Sequence, residues 1–127
     1  MKTDRELLEL AAKAAGIEYD VEASKPHPKS GAWFGLWLVI HGEPNEFTRR
    51  RWNPLTDDGD ALRLAVKLGL LIDVRYIHPA ATRYNCVTYW PTPLKGVRIE
   101  LGDLEPDPFA ATRRAIVRAA AAIGETE

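Results

Sequence analysis

The chain has 127 residues, 46% of them hydrophobic, with 17 Lys and Arg against 18 Asp and Glu. That length suits one compact domain with its own core, and a net charge of −1 excludes a whole-molecule field drawing the protein to nucleic acid or anionic lipid. The lone Cys86 excludes an intramolecular disulfide and a thiolate zinc cluster, and the longest strictly apolar stretch, Ala32 to Ile40, is about half a membrane span.

The amino-terminal residues Lys2, Asp4, Arg5 and Glu6 are charged from the start, so no standard export signal is expected and the cytoplasm is the expected location. Leu7, Leu8, Ala11, Ala14 and Ala15 follow at helical spacing, behind a Thr3 and Glu6 capping box. This amphipathic helix should stop at Gly16, with Ile17 folding back on its last turn. From Asp20 to Gly31 the polar run containing Pro26 and Pro28 reads as an exposed loop.

Ala32 to His41 is the strongest strand signal. Phe34, Leu36, Leu38 and Ile40 point one way, and Trp33, Gly35, Trp37 and Val39 the other. Two apolar faces predict a central strand covered by helices on both sides, which is a three-layer arrangement. A link from Gly42 to Pro44 leads through Thr48 and Arg49 to Trp52 and the turn Asn53-Pro54-Leu55. A second helix begins at Thr56 or Asp57, where a side-chain oxygen caps the backbone and Asp57, Asp58 and Asp60 meet the positive end of the dipole. It runs to about Leu68 and reads as mostly buried, with Arg63 and Lys67 on one solvent stripe.

After Gly69, Leu71 to Ile77 alternates as a strand with one wet face. Tyr84 to Trp90 reads as another strand across the Pro79 to Arg83 loop, and Val97, Ile99 and Leu101 as a half-exposed strand near an edge. The last helix opens with Asp107 as cap and Pro108 in its first turn, and runs from Phe109 to Ile123 before Gly124. The predicted order is α-β-α-β-β-β-α: an α+β three-layer sandwich with a mixed or antiparallel sheet of about four strands and helices on both faces.

Two blocks carry a resemblance. The run from Trp52-Asn53-Pro54-Leu55-Thr56-Asp57-Asp58-Gly59-Asp60 to Leu68 resembles the signature of the phage ABA-sandwich family of small phage and prophage proteins, and the run from Asp107-Pro108-Phe109 to Gly124 resembles that family's last helix. The two blocks cover about a quarter of the chain. The resemblance implies a phage or prophage origin and helices on both faces of a sheet. It implies no reaction and no functional residues.

The remaining chemistry is read residue by residue. Asp57, Asp58 and Asp60 lack the ligand alternation and distal glutamate of a calcium loop, so they read as helix capping. His27, His41 and His78 stand in separate segments without ligand spacing, and Cys86 reads as a small buried hydrophobe. No metal, no cofactor and no catalytic residues are expected. Arg49, Arg50, Arg51 and Trp52 form the one local basic and aromatic cluster, and Arg113, Arg114 and Arg118 extend it if the last helix packs nearby. The expected function is a non-enzymatic accessory protein that binds another protein of host or phage. The alternative is a nucleic-acid-binding accessory using Arg49 to Arg51.

Overall fold

The computed structural model describes residues 2–41, 47–76, 84–92, 96–101 and 107–126. It is an α+β fold whose elements run α1 (Asp4–Ala15), β1 (Leu36–His41), β2 (Phe47–Trp52), α2 (Asp58–Leu68), β3 (Leu71–Tyr76), β4 (Tyr84–Thr92), β5 (Gly96–Leu101) and α3 (Pro108–Thr126).

The helix ends follow from the local sequence. Thr3 accepts the Glu6 N–H at α1, and Asp57 Oδ2 accepts the Asp60 N–H at 2.8 Å to cap α2. Asp107 Oδ1 accepts the Phe109 N–H at 2.9 Å to cap α3. Gly16 and Gly69 close α1 and α2 at φ 66° and 67°, the left-handed conformation that costs glycine least. The third helix runs three residues beyond its expected last residue, Ile123, through Gly124 to Thr126.

The core lies where the helices meet. α3 packs against α1, α2 and all three strands of the β3–β5 sheet. Leu7, Leu8, Ala11, Ala12 and Ala15 of α1 bury against Ile116, Val117, Ala120 and Ala121 of α3, with Ala61, Leu64 and Ala65 of α2 completing the cluster. The alanines bring the α1 and α3 backbones together. A Cβ built on Gly124 would overlap the Leu10 carbonyl, so this glycine is required by close approach.

The sheets depart from the expectation of one sheet with about four strands. β1 and β2 form an antiparallel pair, while β3, β4 and β5 form a separate antiparallel sheet in sequence order. The additional strand is β2, in the arginine-rich segment that the sequence reading treated as a link. Its hydrophobic signal is weak, because Thr48 to Arg51 lacks apolar residues, and cross-strand pairing to β1 carries it. On its other edge β1 meets the residues after α1: the Asp20 N–H donates to the Trp37 carbonyl at 2.9 Å, and the Val39 N–H to the Glu18 carbonyl at 3.2 Å. Tyr19 bridges Leu38 there, and burial, reinforced by Glu9, raises its phenol above the usual value of 10.0.

The expected double-sided burial of β1 is only partial. Leu36 is fully buried, Trp37, Leu38 and Val39 are half-buried, and Phe34, which precedes the strand, and Ile40 are exposed. The expected solvent stripe of α2 is also wider. With Ala61, Leu64 and Ala65 turned inward, the 100° step per residue leaves Leu62 and Val66 outside beside Arg63 and Lys67. His41 and Cys86 have side chains outside the described residues, and His78 and the Pro79 to Arg83 loop lie outside them altogether.

Candidate functional site

The segment from Trp52 to Asp60 is a folded knot of hydrogen bonds. The Asn53 carbonyl accepts the Thr56 N–H at 3.0 Å and the Asp57 N–H at 2.9 Å, while Asn53 Oδ1 accepts the Leu55 N–H at 3.1 Å. Trp52 is 3% exposed and Pro54 is fully buried, so both fill the core beneath the turn. Asp60 is 2% exposed and binds three groups. Its Oδ1 accepts from Arg50 Nη1 at 3.1 Å and Arg63 Nη2 at 2.9 Å, and its Oδ2 accepts the Asn53 N–H at 3.0 Å. A buried carboxylate satisfied on both oxygens locks β2, the turn and α2 together. The block that carries the family resemblance is therefore built for structure.

This knot reorganises the basic cluster. In the β1–β2 register Arg49 faces Val39, Arg50 faces Leu38 and Arg51 faces Trp37, so successive guanidinium groups leave on opposite faces. Arg49 pairs with Asp20 at 2.9 Å and Arg50 with Asp60 at 3.1 Å. Trp52, the aromatic member of the cluster, is core. On α3, Arg113 donates to the Leu55 carbonyl at 2.8 Å and to Asp58 Oδ1 at 2.7 Å, fastening α3 to the turn. Arg114 pairs with Asp4 at 3.1 Å, fastening α3 to α1, and Arg118 is half-buried and also engaged. Most of the predicted cluster acts as cross-links between elements.

Arg51 is different. Its guanidinium lies 4.5 Å from the centroid of the Trp37 ring and 5.4 Å from that of Phe34, and among the described residues it pairs with no carboxylate. It lines a cleft of about 590 Å³ between the 22–35 loop and β2, with His27, Trp33, Phe34 and Trp37. The polar, proline-containing sequence predicts an exposed loop, whereas the structure shows it pinned. Ser24 is buried, its Oγ accepting the Trp37 N–H at 2.9 Å and its carbonyl accepting Trp33 Nε1–H at 2.7 Å. His27 Nδ1 accepts the N–H groups of Lys29 and Ser30, both at 3.2 Å, which gives that histidine a turn-closing task. Asp20 Oδ1 accepts the Ala23 N–H at 3.0 Å, three residues on, in the manner of a helix cap.

A second groove, of about 570 Å³, opens between α2, α3 and the start of β3. Ala61, Ile72 and Ile116 line it, Leu62 and Phe109 stand at its sides, and the Asp58–Arg113 pair sits at its rim. Leu62 is 60% exposed and Phe109 65%. Sequence reasoning missed this groove because it placed Leu62 inside and gave Phe109 no role beyond the helix start.

The acidic residues at the α2 start are held by arginines, with Arg63 near both Asp57 and Asp60 and Arg113 on Asp58. Among the described residues no group of three metal-ligating side chains converges, and no helix is long and apolar enough to cross a membrane. No family model, no curated protein and no solved structure matches the chain.

Proposed function

We propose that this chain is a small non-catalytic accessory protein, of the phage or prophage kind its two sequence blocks resemble, that seats an apolar segment of a partner protein in the groove between α2 and α3. The observation that carries the reading is Leu62 and Phe109 standing in water on either side of an apolar cleft. Leaving a large apolar side chain exposed forgoes roughly 1.5–3 kcal/mol of burial, and a contiguous patch of this kind marks interaction sites. Val66, one turn beyond Leu62, continues the stripe along α2.

The size of the groove favours a short segment over a second copy of the chain. A volume near 570 Å³ takes a few side chains, whereas a stable protein interface covers about 800 Å² per partner. The Asp58–Arg113 pair at the rim is neutral as a whole, so the apolar walls select the occupant. The nucleic-acid alternative is weaker, because Arg49 and Arg50 already hold Asp20 and Asp60.

A displayed library of random peptides, selected on the folded protein, tests the reading. Enriched peptides should carry apolar anchors at helical or alternating spacing. Their affinity should fall at least about tenfold, or 1.4 kcal/mol, in Leu62→Glu and in Phe109→Asp. Peptides that bind both variants unchanged would overturn the site. Concentration-dependent dimerisation abolished by Leu62→Glu would overturn the choice of occupant.

A further inference from the structure

The cleft beside Arg51 has no part in the α2–α3 groove, and its construction is that of a receptor. Phe34 is 64% exposed, yet its backbone is held on its carboxyl side. The Phe34 carbonyl accepts from Asn53 Nδ2 at 3.3 Å. The next residue, Gly35, holds φ 114° against the Trp52 carbonyl, where a Cβ would collide with it. An aromatic ring held in water on rigid backbone is costly to maintain and ready to stack.

Arg51 supplies the complementary half. A guanidinium lying against aromatic rings keeps its in-plane N–H donors directed outward, in the fork geometry that meets two oxygens of one oxyanion. Ser24 holds the Trp33 indole N–H and the Trp37 backbone N–H, and about 590 Å³ lies within the range of small-ligand pockets. His27 on the loop side adds a further nitrogen donor, while Lys25 and Glu22 hold one another at 3.0 Å. The lining thus asks for a ligand that is planar at one end and an oxyanion at the other.

We propose that this cleft binds a nucleoside monophosphate, with the base stacked on Phe34 and the phosphate on Arg51. A single nucleotide is favoured over a strand because the neighbouring guanidinium groups of Arg49 and Arg50 are already neutralised, leaving no track for successive phosphates.

The test is titration of the whole protein with AMP, GMP, CMP and UMP, followed by tryptophan fluorescence and calorimetry. Adenosine, guanosine, inorganic phosphate and oligo(dT) serve as comparators. At least one monophosphate should bind with 1:1 stoichiometry, at least tenfold more tightly than its nucleoside and than inorganic phosphate. Arg51→Ala should lower that affinity at least tenfold, and Arg51→Lys should not restore it, because an ammonium group does not present a planar fork. Phe34→Ser, at an exposed position, gives an independent tenfold loss if Arg51→Ala fails to fold. The proposal is overturned if no monophosphate saturates at millimolar concentration, or if inorganic phosphate binds as tightly as the nucleotides. It is overturned equally if folded Arg51→Ala binds unchanged, or if oligo(dT) binds with a salt dependence of several phosphates. None of these outcomes bears on peptide binding between α2 and α3.

Discussion

At the scale of single residues, Asp60 shows how one side chain in a helix-start pattern acquires a different task. The sequence places Asp57, Asp58 and Asp60 together at the α2 terminus, and Asp57 does cap it. Asp60 instead turns inward and takes Arg50, Arg63 and the Asn53 N–H. Nothing in its spacing distinguishes it from Asp58, whose side chain is largely in water, because the partners come from β2 and the turn through the tertiary fold. Replacing Asp60 by Asn keeps the shape and removes the charge. Breaking a fully buried pair costs about 3–5 kcal/mol, but the two arginine partners are half-exposed and water screens them, so the expected loss is about 2 kcal/mol. Asp58→Asn, which removes a surface ion pair, should cost less than about 1 kcal/mol. Urea denaturation midpoints of the two variants check this, and equal losses would mean that Asp60 is not the junction described.

Among the elements, the helices were legible and the β1–β2 pair was not. α1, α2 and α3 announce themselves through caps and apolar period, and α1 and α2 also through closing glycines, all properties within a few residues of one another. β2 has none of these. Its arginines stay in a strand because Leu36 to His41 offers a partner edge and because carboxylates and rings from elsewhere receive them, which no window of sequence contains. The same distinction explains Gly124. Read locally it ends α3, whereas the structure runs the helix through it because the backbone of α1 lies against it. Helix propensity alone predicts that Gly124→Ala stabilises by about 1 kcal/mol. The overlap with the Leu10 carbonyl reverses the sign, since the obstructing atom is backbone and overpacking costs about 1–3 kcal/mol. Thermal unfolding of the variant should therefore show a lower midpoint than the parent. A higher midpoint would mean that α1 and α3 are spaced further apart.

For the molecule as a whole, the distribution of charge decides between surface readings more sharply than its sum. A net charge of −1 leaves room for a basic patch, and the adjacent Arg49, Arg50 and Arg51 look like one on paper. Folded, they divide between two faces of β2, and the positive charge is spent on joining elements: Arg49 to the segment after α1, Arg50 to α2, Arg113 from α3 to the turn, Arg114 from α3 to α1. A duplex or strand lying on this surface would have to displace those carboxylates, exchanging formed pairs for new ones while leaving buried Asp60 uncompensated. Each phosphate contact made by an uncommitted cation gives log affinity a slope of about −0.9 against log salt on duplex DNA and about −0.7 on single strands. With Arg51 as the one β2 guanidinium not held by a carboxylate, the slope should not exceed about one contact. Retention of labelled duplex and single-stranded DNA and RNA should be weak or absent near physiological salt. The triple replacement of Arg49, Arg50 and Arg51 by alanine should cost stability, through Asp60, more than it costs retention. A micromolar complex with a slope of several contacts, lost in that variant while circular dichroism shows its fold intact, would mean that the arginines exchange partners and that the surface is a nucleic-acid interface after all.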